Sequence, residues 1–363
     1  MLGFRSTTSS AVCASFCLFV GCQFSYVVEQ GWQQLSFQGE QVPLASVDAE
    51  SSLSSSDRAK LAWVDRVLRF CEDDLGLKPG DAYTTFLDTR GQPISYVVTA
   101  SHPLGLIAYQ WHFPFAGTVS YKGYFDRDDA ERERQRLQAA GYDTAISAVG
   151  AYSTLGWFRD PVLSTMLRYD LADFIDLLIH ETVHRTIYFA DDTSFNESLA
   201  TYIAEEGTLR FLKRHPELQS LIPSFRAGKS ADRQLEDLMF RFHSELDVLY
   251  RSGLSDSAKL LAKARLFKTV SHARQILSRS QKSAPLPVSN AVVLNFSRYH
   301  QFVEFFRDLQ AALGGDPKEL TAYLRDSVSQ GRQPAEIMSA ASQLSRESVD
   351  RHTTVGAEKE SRV

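Results

Sequence analysis

The chain has 363 residues, 44% of them hydrophobic and 11% aromatic, so it can bury a full core and is not a disordered polymer. A formal net charge of -5 leaves no basic footprint for nucleic acid, and no RNA-binding or helix-turn-helix signature offsets it, which argues against that class of partner. Length alone fits one large or two ordinary domains.

The opening MLGFRSTTSSAVCASFCLFVGCQ has a short positive region with Arg5 and an apolar stretch from Ala11 to Gly21, too short to span a bilayer comfortably. Residues 1–21 are therefore expected to be an export signal. Leu18-Phe19-Val20-Gly21-Cys22 resembles the lipobox of bacterial lipoproteins, which implies that Cys22 is lipidated and becomes the new N-terminus. Gln23 rather than Asp follows, which implies an outer-membrane anchor facing the periplasm. The competing reading is an uncleaved membrane helix, since Ala11 to Val28 is nearly apolar throughout. Of the 4 cysteines, Cys13 and Cys17 would leave with the signal and Cys22 would carry lipid, so Cys71 has no disulfide partner. Its helical spacing with Leu61, Val64, Leu68 and Leu75 makes it a core thiol.

Residues 22–56 are expected to form a tether and short arm, with Ser51 to Ser56 supplying a helix cap. The apolar period from Asp57 to Asp74 predicts one helix, ended by Gly76 and the Lys78-Pro79-Gly80 turn. Tyr83 to Leu87 and Ile94 to Ala100, rich in aromatic and β-branched residues, flank a turn at Thr89 to Pro93 and predict a hairpin. Thr118 to Phe125 and Thr144 to Val149 are further strands, and the mixed charges of DRDDAERERQRLQAAG between them predict a solvated helix. Asp160-Pro161 reads as a helix start, with a helical run from there or from Asp170 to about Tyr188. More helices are expected at about 194–212, 231–251, 255–280 and 297–313, with shorter ones beyond Pro317. The tail from 342 to 363 is polar enough for disorder. Strands at about 80–150 and helices at about 160–341 make residues 57–341 an α+β unit with a largely helical C-terminal half.

Within IHETVHRTIYFADDTSFNESLATYIAEEG, residues 179–207, lies His180-Glu181-Thr182-Val183-His184. On a helix, positions i and i+4 sit about 40° apart around the axis, so both imidazoles aim at one point. Phe174, Ile175, Leu178 and Ile179 mark the helix as buried, where an unpartnered histidine pair would be costly and a metal would relieve it. The chemistry suits Zn2+, with Glu181 placed to take a proton from an activated water. A catalytic zinc needs a third protein ligand. No histidine follows His184 until His215, which excludes the metzincin pattern. The turn Ala190 to Thr193 instead brings a second helix back, so that Glu197, beside Asn196, becomes the third-ligand candidate. Ser194-x-x-Glu197 is also a capping box, in which Glu197 would serve the backbone, and Glu205 or Glu206 are further ligand candidates.

This block resembles that of the bacterial predicted aminopeptidase family, zinc metallopeptidase lipoproteins of gluzincin type. VSYKGYFD (119–126) and AYSTLGWFRDPVLSTM (151–166) resemble other blocks of that family, as does the lipobox, so the similarity covers roughly 20–330. The resemblance implies a zincin-like metallopeptidase fold, aminopeptidase action on peptides, His180, His184 and Glu197 as zinc ligands and Glu181 as the base. Polar Thr182, Cys71 and the long tail depart from the pattern.

A zinc peptidase also needs a donor for the developing oxyanion. Tyr152, after an expected edge strand, is the first candidate, with Tyr202, His272 and Tyr299 behind it. Asp126 and Asp160 are weak candidates for holding a substrate amine. The competing function is a non-enzymatic envelope lipoprotein with a structural or vestigial zinc. Against it, structural sites are closed by four ligands, usually including Cys, whereas three ligands and a base are present here. No second apolar segment long enough for a membrane-integral peptidase follows the signal.

Overall fold

The computed structural model describes residues 39–47, 53–113, 117–149, 159–190, 192–277, 288–300 and 302–341. Cys22, Tyr152 and the tail from 342 lie outside the described residues, as do the side chains of His272 and Tyr299.

Strand β1 (Val42–Pro43) is followed by helices α1 (Ser55–Leu61) and α2 (Val64–Asp73). The single helix expected over Asp57 to Asp74 is thus two, interrupted at Ala62 and Trp63. Ser54 caps α1, its hydroxyl accepting from the Asp57 N-H at 3.1 Å. Helix α2 buries Val64, Val67, Phe70 and Cys71, so Cys71 is the core thiol its spacing predicts.

Five short strands come next: β2 (Thr85–Leu87), β3 (Ser95–Ser101), β4 (Trp111–Phe113), β5 (Gly117–Val119) and β6 (Lys122–Tyr124). Helix α3 (Arg127–Ala139) and strand β7 (Asp143–Val149) follow as expected. Asp126 caps α3 by accepting from the N-H groups of Asp128 and Asp129 at 2.8 and 3.0 Å. Its carboxylate is therefore engaged structurally.

The predicted hairpin is not formed. Strand β2 lies between β1, antiparallel, and β8 (Val162–Leu163), parallel, whereas β3 pairs antiparallel with β6 and β7 in a different sheet. The intervening turn is held elsewhere. Thr89 N-H donates to Ser164 Oγ at 2.9 Å, and Arg90 and Gly91 take left-handed φ of 51° and 74°, which leads the chain out of one sheet and into the other. A strand's partner is a non-local choice that a period of two cannot reveal.

Asp160-Pro161 does not start a helix either. The Asp160 carbonyl accepts from Tyr83 N-H at 2.6 Å, which starts the parallel pairing of Phe86 with Val162 and of Leu87 with Leu163. The helix begins instead at Leu171, as α4 (Leu171–Thr186), followed by α5 (Thr193–Arg214), α6 (Ile222–Arg251) and α7 (Asp256–Leu277). The helix expected at 297–313 is two, α8 (Asn290–His300) and α9 (Val303–Ala312), with α10 (Pro317–Ser329) beyond. The described chain is a mixed α and β structure, mostly helical with small sheets.

The largest apolar cluster lies around α4 and α5, joining Phe174, Ile175, Leu178, Ile179 and Val183 to Phe195, Leu199, Ile203 and Phe211. Gly207 of α5 permits the close approach, since a Cβ there would lie 2.8 Å from Leu75 Cδ1 and 3.3 Å from Ile179 Cδ1. These contacts fix the antiparallel pair on which the candidate site is built.

Candidate metal centre

Helix α4 delivers His180 and His184 on one face, one turn apart. Helix α5 returns antiparallel, and its first turn is fixed by two side chains. Asp192 is the N-cap, accepting from Phe195 N-H at 2.9 Å. Asn196, fully enclosed, accepts from Phe189 N-H at 2.9 Å and donates to Phe189 O at 2.7 Å. With Asp192 as cap, Glu197 stands too deep in the helix for the capping box that Ser194-x-x-Glu197 suggests. Its carboxylate turns instead to the histidines.

The three side chains meet at one point. His180 Nε2 and His184 Nε2 are 3.1 Å apart, and Oε2 of Glu197 lies 3.4 and 3.5 Å from them respectively. Ligands bound tetrahedrally to zinc at its usual bond lengths stand about 3.3 Å from one another, so the separations fit such an ion. Among the described residues this is the group of His, Cys, Asp and Glu side chains whose ligand atoms converge.

Electrostatics bind the group together. Burial alone would raise the Glu197 carboxyl, but hydrogen bonding to His180 and His184 and their charge hold it well below the usual carboxylate range. Burial works against a charged His180, yet the bond to Glu197 and the charges of Glu181 and Glu197 raise it. Glu181, 9% exposed, lies next to this cluster without being one of the three. Burial raises its carboxyl, the two histidines pull it down, and Glu197 and Asp160 push it up again. A carboxyl held above its ordinary range is a stronger proton acceptor than an exposed one.

One turn after Glu181, Arg185 Nη1 approaches Oδ2 of the buried Asp160 at 3.4 Å, and Nη2 bonds to Asp81. Gly80, at φ 59°, makes room for the guanidinium, because a Cβ there would lie 3.3 Å from Nη2. Asp160 is thereby the ion-pair partner of Arg185, and its charge also reaches Glu181.

The alternative candidates resolve differently. Glu205 Oε1 is 2.8 Å from Arg233 Nη1 on α6, and neither it nor Glu206 belongs to the converging group. Tyr202 stacks on Phe306 at 6.5 Å in the core, and burial pushes its hydroxyl up to about 12, which fits a structural aromatic. What sequence reasoning missed is the double grip of Asn196. Its only local signal is its position before Glu197.

Comparison with known proteins agrees in kind with this geometry. A family model described as "Putative aminopeptidase" matches residues 25–334. Neither the curated proteins nor the solved structures contain a match to the chain.

Proposed function

Because the chain belongs to the putative aminopeptidase family, we propose that it is a zinc-dependent peptidase, an aminopeptidase acting on peptides at the cell envelope. The observation that carries the zinc reading is the spacing of 3.1, 3.4 and 3.5 Å among His180, His184 and Glu197, on two antiparallel helices joined by a short turn. That helix pair also supports a zincin-like fold.

His180 and His184, as neutral imidazoles, and Glu197, as a carboxylate, would hold the ion. Zinc bound there supplies a Lewis acid that polarises a carbonyl and lowers the pKa of water. Glu181 takes the proton from the attacking water and passes it to the nitrogen of the departing amine, ending the cycle as the carboxylate it began as. The raised position of its carboxyl supports that double role. Asn196 and Asp192 keep Glu197 in place while the reaction runs. Tyr152 is the proposed donor to the oxyanion. Cys22 is the proposed lipid attachment point, holding the enzyme at the outer membrane on its periplasmic side.

The test is bound zinc and peptidase activity in wild type and in Glu181→Gln. Zinc retained with activity lower by at least about a hundredfold, the low end of a general base's contribution, supports the reading. Equal activity in the two proteins overturns it.

A further inference from the structure

Large apolar side chains stand exposed at ten of the described positions, and four of these, Val248, Leu254, Leu260 and Leu261, fall within fourteen consecutive residues. They are 47 to 71% exposed. Apolar residues scattered singly over a surface need no explanation, whereas a group of them marks a place of contact. All four belong to one end of a helical hairpin. Helix α6 ends at Arg251, α7 begins at Asp256, and Phe242 packs on Phe267 with ring centroids 5.4 Å apart, so the two helices run antiparallel. At a rise of about 1.5 Å per residue, Val248, Leu260 and Leu261 lie within about 8 Å of the connection along the helix axes, and Leu254 is part of it.

This end is firmly held. Lys259 Nζ donates to Tyr250 O at 2.8 Å, and the Tyr250 hydroxyl donates to Asn290 Oδ1 of α8 at 2.7 Å. Lys263 donates to Pro103 O at 2.6 Å, which ties to α7 the loop that leads to a fifth exposed residue, Ile107. The inner faces of the hairpin are already used, since Leu235, Met239, Phe242, Leu246 and Val270 share a core with Val292 and Val293 of α8. Only outer side chains are left to meet a partner.

Charge on α7 is one-sided. Asp256 in its first turn is its one acid, against Lys259, Lys263, Arg265, Lys268 and Arg274, in a chain whose formal net charge is -5. Lys263 is buried against Asp143 at 2.7 Å, and Lys259 serves the turn. Arg265 and Lys268 are exposed and form no ion pair among the described residues; they stand four and seven positions after Leu261, on the same face of the helix. The acids of the facing stretch of α6 are Glu245 and Asp247, and Arg251 takes the second at 3.1 Å.

We infer that this end of the α6–α7 hairpin docks on the surface of a lipid bilayer with anionic headgroups. The aliphatic side chains enter the boundary between headgroups and acyl chains, and Arg265 and Lys268 meet lipid phosphates. Aliphatic residues beside unpaired cations match an interfacial lipid contact, whereas the centres of protein interfaces are rich in aromatic residues and poor in charge. No described helix is long and apolar enough to cross a membrane, so the contact is peripheral. It goes beyond the peptidase reading and stands without it, and it does not require lipid on Cys22.

The test uses the full-length chain with Cys22→Ser, so that no lipid is attached. It is titrated with vesicles of phosphatidylcholine alone, and of phosphatidylcholine with about a third phosphatidylglycerol. Sedimentation reads affinity, and amide hydrogen exchange locates the contact. Tighter binding to the anionic vesicles is expected, with slower exchange over the α6–α7 connection. Arg265→Gln with Lys268→Gln should weaken that binding by about tenfold or more and remove the preference for anionic lipid. Leu260→Ser with Leu261→Ser should weaken it by about tenfold while keeping the preference. Because all four side chains are exposed, neither pair should move the midpoint of urea unfolding, which separates lost docking from lost fold. Slower exchange confined to residues before 39, equal affinity in all three proteins, or equal binding to neutral and anionic vesicles overturns the inference. Protection of the hairpin end that grows with protein concentration without vesicles assigns it to a second copy of the chain and overturns it as well.

Discussion

Asn196 holds Phe189 by both ends of its side-chain amide, accepting from the backbone N-H at 2.9 Å and donating to the backbone carbonyl at 2.7 Å. The pair closes the turn between α4 and α5, so the residue after Asn196 begins its turn of helix already facing the histidines. Replacing Asn196 by Ala strands both backbone groups in a buried site. A loss of about 2–4 kcal/mol in urea unfolding is expected, with zinc affinity lower by about tenfold or more. Competition with a chromogenic chelator measures the second effect. Stability lost with unaltered zinc affinity would separate the turn from the site.

Glu197 and Asp192 divide two tasks that the sequence assigns to one residue. Glu197→Ala is expected to remove stoichiometric zinc, read by elemental analysis. Asp192→Ala, which loses the bond to Phe195 N-H, should instead cost about 0.5–2 kcal/mol of stability and keep zinc bound. The reverse pattern would return Glu197 to a capping role.

Asp160 is 1% exposed and Arg185 11% exposed at their side chains, so their contact is a buried ion pair. Asp160→Asn removes the buried carboxylate that faces Arg185 and should cost about 3–5 kcal/mol in urea unfolding. Combining it with Arg185→Met should recover much of that loss, because no buried charge then stands alone. Additive losses in the double variant would contradict the pairing.

Burial pushes the Cys71 thiol up to about 12, outweighing the opposing bond with Thr182. At pH 8 the folded protein then holds about a thousandfold less thiolate than an exposed cysteine, so alkylation by iodoacetamide should be negligible until urea unfolds the chain. The linkage has a definite sign. With a folded pKa above the unfolded one, the neutral thiol's contribution is complete below about pH 8.5 and declines as pH rises toward 12. Cys71→Ala should lose that part of the alkaline decline in urea stability. Rapid labelling of the folded protein at pH 8 would contradict the buried placement.

Much of the candidate site is local and was legible in the chain. His180 and His184 are one helical turn apart, Glu181 is their neighbour, and a short turn followed by Asn196-Glu197 implies an antiparallel return. All of that follows from helix geometry and from the apolar residues around α4. The strands were legible as strands but not as partners. Phe86 and Leu87 pair with Val162 and Leu163, about 76 positions away, in place of the nearby Ser95 to Ser101 segment. Asp160-Pro161 has the chemistry of a helix start, yet the bond from Tyr83 N-H to the Asp160 carbonyl and the contact with Arg185 draw it into a strand and a buried pair.

By itself, then, the sequence marked the candidate residues and showed that two of them share a helix face, because side chains four apart on a helix are placed by the backbone alone. Only the tertiary structure decided that Asp192 caps α5 and releases Glu197, and that Asp160 pairs with Arg185. Those outcomes depend on which distant groups are brought together when apolar surfaces close on one another, and no local period in the chain encodes them.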